Sequence, residues 1–185
     1  MVEPVRILGF AGSLRKGSYN KALLEAAAEL MPKNAMFTIF DLEGIPPFNQ
    51  DIETRPPEKI VDFKNRIRAS DALLIATPEY NYSIPGVLKN AIDWASRPPT
   101  DNVFNDKPVA IMGASTGMLG TARAQYHLRQ CFVFLNMHAV NRPEVMVSYA
   151  REKFDEDGKL KDEKAKKSIA DLIESLIVLT ATAKH

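Results

Sequence analysis

The chain has 185 residues, 45% hydrophobic and 25% charged, and its 24 basic and 23 acidic residues leave a formal net charge of +1. These proportions are typical of one globular domain, and the balanced charge argues against nucleic acid as a partner, because binding a phosphate backbone needs a basic surplus. One cysteine, Cys131, excludes an intrachain disulfide and has too few neighbouring candidate ligands to indicate a metal site. Neither a membrane-length apolar run nor the pattern of a secretory signal is present in the sequence, so we expect a cytoplasmic protein without a membrane partner.

Apolar runs alternate with amphipathic segments along the chain. The runs predict strands at residues 5–11, 35–40, 72–76, 107–113 and 144–147, and helical spacing predicts helices over 18–31, 57–69, 85–96, 121–135 and 162–183. The first, third and fourth runs are apolar throughout, which is typical of parallel strands covered on both faces. We therefore predict one α/β domain over residues 1–185, a doubly wound sheet of five parallel strands in the order 2-1-3-4-5. Its ligand should lie beyond the carboxyl ends of the strands, between the first and the third.

The turn between the first strand and the first helix reads Gly12-Ser-Leu-Arg-Lys-Gly-Ser-Tyr-Asn20. Glycines let the backbone approach an anion, hydroxyl groups donate to it, and a helix N-terminus adds partial positive charge. The turn lacks the lysine after its second glycine that a triphosphate-binding loop needs, and it lacks the dinucleotide fingerprint. Its donors, Ser13, Arg15, Ser18 and Asn20, suit a single terminal phosphate. The alternative is an ordinary turn in which Ser18 caps the helix.

The segment after the third strand, residues 77–86, is unusually rich in chemical groups for a connection. Pro78 stiffens it, Tyr80 offers aromatic surface, and Glu79 and Asn81 offer polar groups. A flat heteroaromatic ligand needs such a wall, with apolar contact at its face and directional bonds at its edge. The alternative is a structural loop whose tyrosines pack in the core or at a subunit contact.

The segment after the fourth strand, residues 113–120, contains three glycines and two hydroxyl side chains. This composition indicates backbone donors close to a ligand. Because the three segments follow the first, third and fourth strands, we expect them to meet at one crevice. The first segment would hold a phosphate there, and the other two would flank a ring.

Together these segments resemble the NAD(P)H-dependent FMN reductase family, most closely its quinone and chromate reductase branch. The resemblance rests on residues 12–20, 78–94 and 113–117, and it extends over about residues 5–150. It implies a flavodoxin-like fold, non-covalently bound FMN and a homodimer or homotetramer. By position, it assigns the FMN phosphate to Ser13, Arg15, Ser18 and Asn20, the isoalloxazine wall to Pro78, Glu79, Tyr80 and Asn81, and the pyrimidine side or ribityl chain to Ser115 and Gly117.

The resemblance also implies an enzyme that passes a hydride from NADPH or NADH to FMN. Electrons would then pass to a quinone, azo, nitro, free flavin or chromate acceptor in a ping-pong cycle. The cofactor carries this chemistry, so we expect no catalytic side chain, with backbone N–H groups of residues 115–117 stabilising negative charge near flavin N1.

Two other functions stay open. An electron-carrier flavodoxin would have no NAD(P)H turnover of its own, although such carriers are typically acidic. An NAD-dependent dehydrogenase would use Asp41 as a ribose-binding acid, although the glycine fingerprint is missing.

The fourth helix and the neighbouring second segment carry residues favoured at protein interfaces. We predict that they contribute to a homo-oligomer contact near the flavin, the alternative being a solvated helix face. The residues concerned are Tyr82, Ile84, Arg123, Tyr126, His127 and Arg129.

Overall fold

The computed structural model describes residues 3–183, and a parallel sheet forms their centre. Its strands are β1 (Val5–Ala11), β2 (Ala35–Phe40), β3 (Ala72–Ala76), β4 (Pro108–Ala114), β5 (His138–Ala139) and β6 (Val145–Val147). The order β2-β1-β3-β4-β5 confirms the predicted topology, and β6 also pairs with β4.

The strand predicted at residues 144–147 is β6, and the two-residue β5 before it was not predicted. β5 pairs with the first two residues of β4, and β6 pairs with its last three. Pro143 lies between these short strands, and a proline has no N–H to donate to a sheet ladder. The sheet therefore has six strands in the described residues, where the sequence predicted five.

Within residues 3–183, four helices connect successive strands from β1 to β5, and two more follow β6. They are α1 (Tyr19–Glu29), α2 (Glu58–Ala69), α3 (Gly86–Ala95), α4 (Ala122–Leu135), α5 (Ala150–Lys153) and α6 (Glu163–Ala183). The five predicted helices are present with small shifts at their ends, and the four-residue α5 is additional. None of the helices between residues 3 and 183 is long and apolar enough to cross a membrane.

Two apolar clusters cover the two faces of the sheet. α1 and α6 pack in one cluster, and α2, α3 and α4 pack in the other. β3 supplies both, since Leu74 belongs to the first cluster and Leu73 and Ile75 to the second. This two-sided burial explains the continuously apolar strands and confirms the doubly wound arrangement.

Three loops leave the same edge of the sheet. Loop 1 (residues 12–18) follows β1, loop 2 (residues 77–85) follows β3, and loop 3 (residues 115–121) follows β4. The N–H of Gly12 donates to the carbonyl of Ala76 at 2.9 Å, and the N–H of Thr77 donates to that of Met112 at 2.9 Å. These bonds extend the ladder into the loops and hold their first residues side by side.

Candidate active site

A cavity of about 280 Å³ lies where the three loops meet. Eight of the ten residues predicted for the site line it: Ser13, Arg15, Ser18, Asn20, Pro78, Glu79, Tyr80 and Ser115. The other two, Asn81 and Gly117, lie in loops 2 and 3 but do not line this cavity. The structure adds Arg151 from α5, which the sequence did not indicate.

The two serines of loop 1 are buried and use their oxygens inside the protein. Ser18 Oγ accepts from the N–H groups of Asn20 at 3.2 Å and Lys21 at 3.4 Å, so Ser18 caps α1. Ser13 Oγ accepts from the N–H of Arg15 at 3.4 Å. Residues 3–183 provide no acceptor for either hydroxyl hydrogen. Both O–H groups therefore remain able to donate to a ligand. Capping and ligand binding are therefore compatible at Ser18.

Asn20 joins α1 to the end of β4. Its Nδ2 donates to the carbonyl of Ala114 at 3.0 Å, and its Oδ1 accepts from the N–H of Ala114 at 2.9 Å. The residue is 3% exposed. These bonds occupy the amide oxygen and one amide hydrogen of Asn20. In this structure the side chain therefore holds loop 1 beside loop 3.

Positive charge dominates the lining of the cavity. Arg15 and Arg151 both line it, and the guanidinium of Arg15 lies 5.4 Å from the ring centre of Tyr19. The lining carboxylate, Glu79, is paired with Arg123. The positive charges of Arg15 and Arg151 therefore favour an anionic ligand.

Loop 2 turns sharply at its tip. Tyr80 and Ser83 exchange two backbone hydrogen bonds of 3.2 and 2.9 Å, and the intervening Asn81 and Tyr82 have φ of 50° and 66°. Two successive left-handed residues define a type I′ turn. The turn leaves Tyr80 and Tyr82 exposed, so these tyrosines are not core residues.

The carboxylate of Glu79 is bonded to other residues and is not available as a free acid. Its Oε2 accepts from the backbone N–H groups of Arg123 at 3.0 Å and Ala124 at 3.2 Å, and its Oε1 accepts from Arg123 Nε at 2.5 Å. These partners are in the first turn of α4. Both oxygens of the carboxylate are therefore bonded to donors on the neighbouring α4.

The backbone donors of loop 3 are mostly used within the protein. The N–H of Ser115 donates to the carbonyl of Val147 at 3.0 Å, and that of Gly117 donates to Ser115 Oγ at 3.1 Å. For the N–H of Thr116, the described residues supply no acceptor. Of the backbone N–H groups expected over residues 115–117 to donate to a ligand, only that of Thr116 has no partner within the described residues.

The glycines at the two ends of the 113–120 segment serve packing. A Cβ on Gly113 would lie 2.5 Å from the carbonyl oxygen of Thr77, and one on Gly120, whose φ is 52°, would lie 2.7 Å from the carbonyl of Met146. By contrast, a Cβ on Gly117 would meet only Ser115 Oγ, at 3.6 Å. Glycine is therefore required at positions 113 and 120 by close contacts within the protein, and not by close approach to a ligand.

Asp41, the candidate ribose-binding acid of a dehydrogenase, is already engaged. It accepts from Lys21 Nζ at 2.9 Å and from the N–H of Glu43 at 3.0 Å. Partial burial raises the pKa of this carboxyl, but the Glu43 N–H and the Lys21 ammonium outweigh it and lower the pKa below its usual value. These contacts give Asp41 a structural task.

Comparison with known proteins agrees with the fold. A family model described as NADPH-dependent FMN reductase matches residues 5–152. The chain is 52% identical over 177 residues, 95% of each chain, to an NAD(P)H-dependent FMN reductase of Pseudomonas aeruginosa. It is 44% identical over 188 residues, 97% of this chain and 95% of the other, to an NAD(P)H:quinone oxidoreductase of Solanum tuberosum.

A solved structure is similar over nearly the whole length. This is FerB, a flavoenzyme NAD(P)H:(acceptor) oxidoreductase of Paracoccus denitrificans, with a TM-score of 0.88 and 34% identity over 97% of this chain and 98% of the other. Fold and site thus define a flavoenzyme of flavodoxin-like architecture. The chain belongs to the NADPH-dependent FMN reductase family, and it is an enzyme that depends on FMN and NAD(P)H.

Proposed function

We propose that this enzyme reduces quinones at the expense of NAD(P)H, with FMN held in the three-loop cavity. The overall reaction combines NAD(P)H, a proton and a quinone to give NAD(P)⁺ and a hydroquinone. The relative from Solanum tuberosum, named an NAD(P)H:quinone oxidoreductase, supports the acceptor class. Azo, nitro, free flavin and chromate acceptors belong to the same proposal, because an accessible flavin edge selects weakly among them. Its cytoplasmic location stays a prediction.

The donor set of the cavity carries this proposal. Ser13 and Ser18 have free O–H groups, Thr116 has a free N–H within the described residues, and Arg15 and Arg151 supply positive charge. Several hydrogen-bond donors with cationic groups, in a cavity whose carboxylate is already paired, suit a phosphate monoester. The residues present therefore fit the phosphate end of FMN.

The residues of the site bind and orient, and none is assigned a proton-transfer role. FMN supplies the hydride-accepting chemistry when it is bound. Pro78 and Tyr80 give the cavity its apolar wall, and Ser115 lines it from loop 3. Asn81 lies at the tip of loop 2 and Gly117 lies in loop 3, both outside the lining. We further propose that NAD(P)H and the acceptor enter the same crevice in turn, as a ping-pong cycle requires.

We also propose that the protein works as a homodimer or homotetramer. α4 exposes Val133 (82%) and Phe134 (89%), and Phe134 borders an apolar groove of about 670 Å³ between α3 and α4. Side chain and groove lie on one face, so a two-fold axis could place Phe134 in the same groove of a second copy. Of the residues predicted for this contact, Arg123 and Arg129 are bonded within the chain, whereas Tyr82 and Tyr126 are exposed.

Purified protein tests the proposal directly. We expect it to carry flavin absorbance and to oxidise NADPH rapidly when a benzoquinone is added, with parallel lines in double-reciprocal plots at several quinone concentrations. A colourless protein that takes up no added FMN would contradict the proposal. A flavoprotein without NAD(P)H turnover would instead be an electron carrier.

A further inference from the structure

The first turn of α4 is capped by a side chain from another loop. Thr121 precedes the helix in a left-handed conformation (φ 75°), makes no capping bond, and uses its Oγ1 to accept from Gln125 Nε2 at 3.1 Å. The N–H groups of Arg123 and Ala124 donate to Glu79 instead. A helix start needs such acceptors, so the ordered start of α4 depends on loop 2.

The dependence is mutual, because Arg123 holds loop 2 at two points. Its guanidinium bonds and pairs with the Glu79 carboxylate, and it lies 3.6 Å from the ring centre of Tyr82. Hydrogen bonding to Glu79 raises the pKa of Arg123, although partial desolvation opposes the shift. Tyr80, which lines the cavity, lies between these two attachment points.

We propose that Glu79 and Arg123 are positioning residues of the FMN site, which fix the tip of loop 2 before the flavin binds and cancel each other's charge beside it. This inference deepens the proposed function and rests on it. Tyr82 has a bulky side chain at positive φ, a conformation that needs support from its surroundings. Attachment to Arg123 provides that support, so less ordering of loop 2 is left to be done when FMN binds.

Two consequences separate this role from a purely structural one. Replacing Glu79 leaves an unpaired cation beside the site, and replacing Arg123 leaves an unpaired anion. The two changes should therefore move the two-electron midpoint potential of the bound flavin in opposite directions, since reduction adds negative charge. Loss of fold stability alone would not produce opposite signs.

The experiment compares Glu79→Gln, Arg123→Gln, the double variant and Arg129→Gln as a matched control. Arg129 is on the same helix but donates to the carbonyl of Val140 at 2.8 Å, away from loop 2. Three quantities are measured: the FMN dissociation constant of the apo-protein, the midpoint potential of the holo-protein, and amide hydrogen exchange of the apo-protein at residues 80–83 and 123–124.

We expect each single variant to bind FMN about tenfold more weakly, equivalent to ~1.4 kcal/mol. The double variant should lose no more FMN affinity than the single variant that binds FMN more weakly, because the two residues act as one unit. The potential should rise in Glu79→Gln, fall in Arg123→Gln and return toward the wild-type value in the double variant. Exchange should quicken at residues 80–83 and 123–124 in both single variants, and Arg129→Gln should match the wild type throughout.

Unchanged FMN affinity in the single variants, additive losses in the double variant, or potential shifts of the same sign would each overturn the inference. Failure of the proposed function is a different result: wild-type protein would take up no FMN. In that case the exchange comparison still decides whether Glu79 and Arg123 order loop 2, because it uses the apo-protein.

Discussion

The side-chain amide of Asn20 pairs with both backbone polar groups of Ala114, across 94 positions of the chain. Such a pair replaces the partners that a neighbouring strand would otherwise supply at the end of β4. It brings loop 1 and loop 3 together without a covalent link, and both sides of the cavity depend on it.

Asn20→Ala should therefore destabilise the apo-protein. The expected cost is about 1–3 kcal/mol for each buried backbone group left without a partner. Urea unfolding of the apo-protein measures it, with Asn65→Ala, an exposed asparagine on α2, as the control. If Asn20→Ala weakened FMN binding but left apo stability unchanged, Asn20 would be a phosphate ligand and not a structural bridge.

Arg15→Ala should weaken FMN binding by about 1.5–3 kcal/mol, the scale of a hydrogen bond to a charged group. Apo stability should change little, because Arg15 is exposed and outside the core. Titration of FMN into the apo-protein gives the affinity. Lys16→Ala is a matched control, since Lys16 is the next cation along the loop but does not line the cavity. An Arg15 variant that binds like the Lys16 variant would remove Arg15 from the site.

Ser18→Asp separates the capping role of Ser18 from its ligand role. Aspartate caps helices about as well as serine, so apo stability should stay within about 0.5 kcal/mol of the wild type, whereas Ser18→Ala should lose about 1 kcal/mol. A carboxylate beside a phosphate repels it by roughly 4 kcal/mol at ~4 Å near a protein surface. We expect Ser18→Asp to remain folded and to bind FMN at least tenfold more weakly. Undiminished binding by this variant would place the phosphate elsewhere.

Glu79→Gln should slow the reduction of bound FMN by NADPH less than about tenfold, below the 10²–10⁴ loss expected for a general acid or base. The reason is that the carboxylate is committed to α4 and Arg123. Stopped-flow mixing at FMN concentrations that saturate the variant isolates this step. A loss beyond a thousandfold with FMN still bound would give Glu79 a catalytic role.

Phe134→Glu should reduce assembly, because it puts a charge on the exposed apolar face of α4. Sedimentation at micromolar concentration should show a dimer or tetramer for the wild type and a smaller species for the variant. Val178→Glu is the matched control, since Val178 is also an exposed apolar residue (58%) but is on α6. A wild-type protein that sediments as a 20.6 kDa monomer would contradict the proposed contact.

The fold was largely predictable because its signals are local. Runs such as Ala72–Ala76 are apolar on both faces, and the three loops follow such runs directly. Ser18 shows that two interpretations of one residue can hold together, since it caps α1 and lines the cavity.

What the sequence could not show depends on contacts between distant residues or on very short elements. The bond from Glu79 to the start of α4 joins residues 44 positions apart, and no periodicity marks it. Arg151 is in a four-residue helix, too short for a helical pattern, and enters the cavity because β6 ends at the same edge as the other strands. Its position after the last strand was the one available indication.

The way in which loop 1 uses its oxygens bears on the proposed choice of FMN over riboflavin, the same flavin without the phosphate. Ser13 Oγ, Ser18 Oγ and Asn20 Oδ1 all receive hydrogen bonds from the protein itself. An incoming group therefore meets hydrogens and positive charge, and few lone pairs. Riboflavin ends in an alcohol, whose own hydrogen would find little to bond there, whereas a phosphate brings only acceptors at this end. In the proposed site, discrimination between the two would follow from bonds made before any flavin arrives.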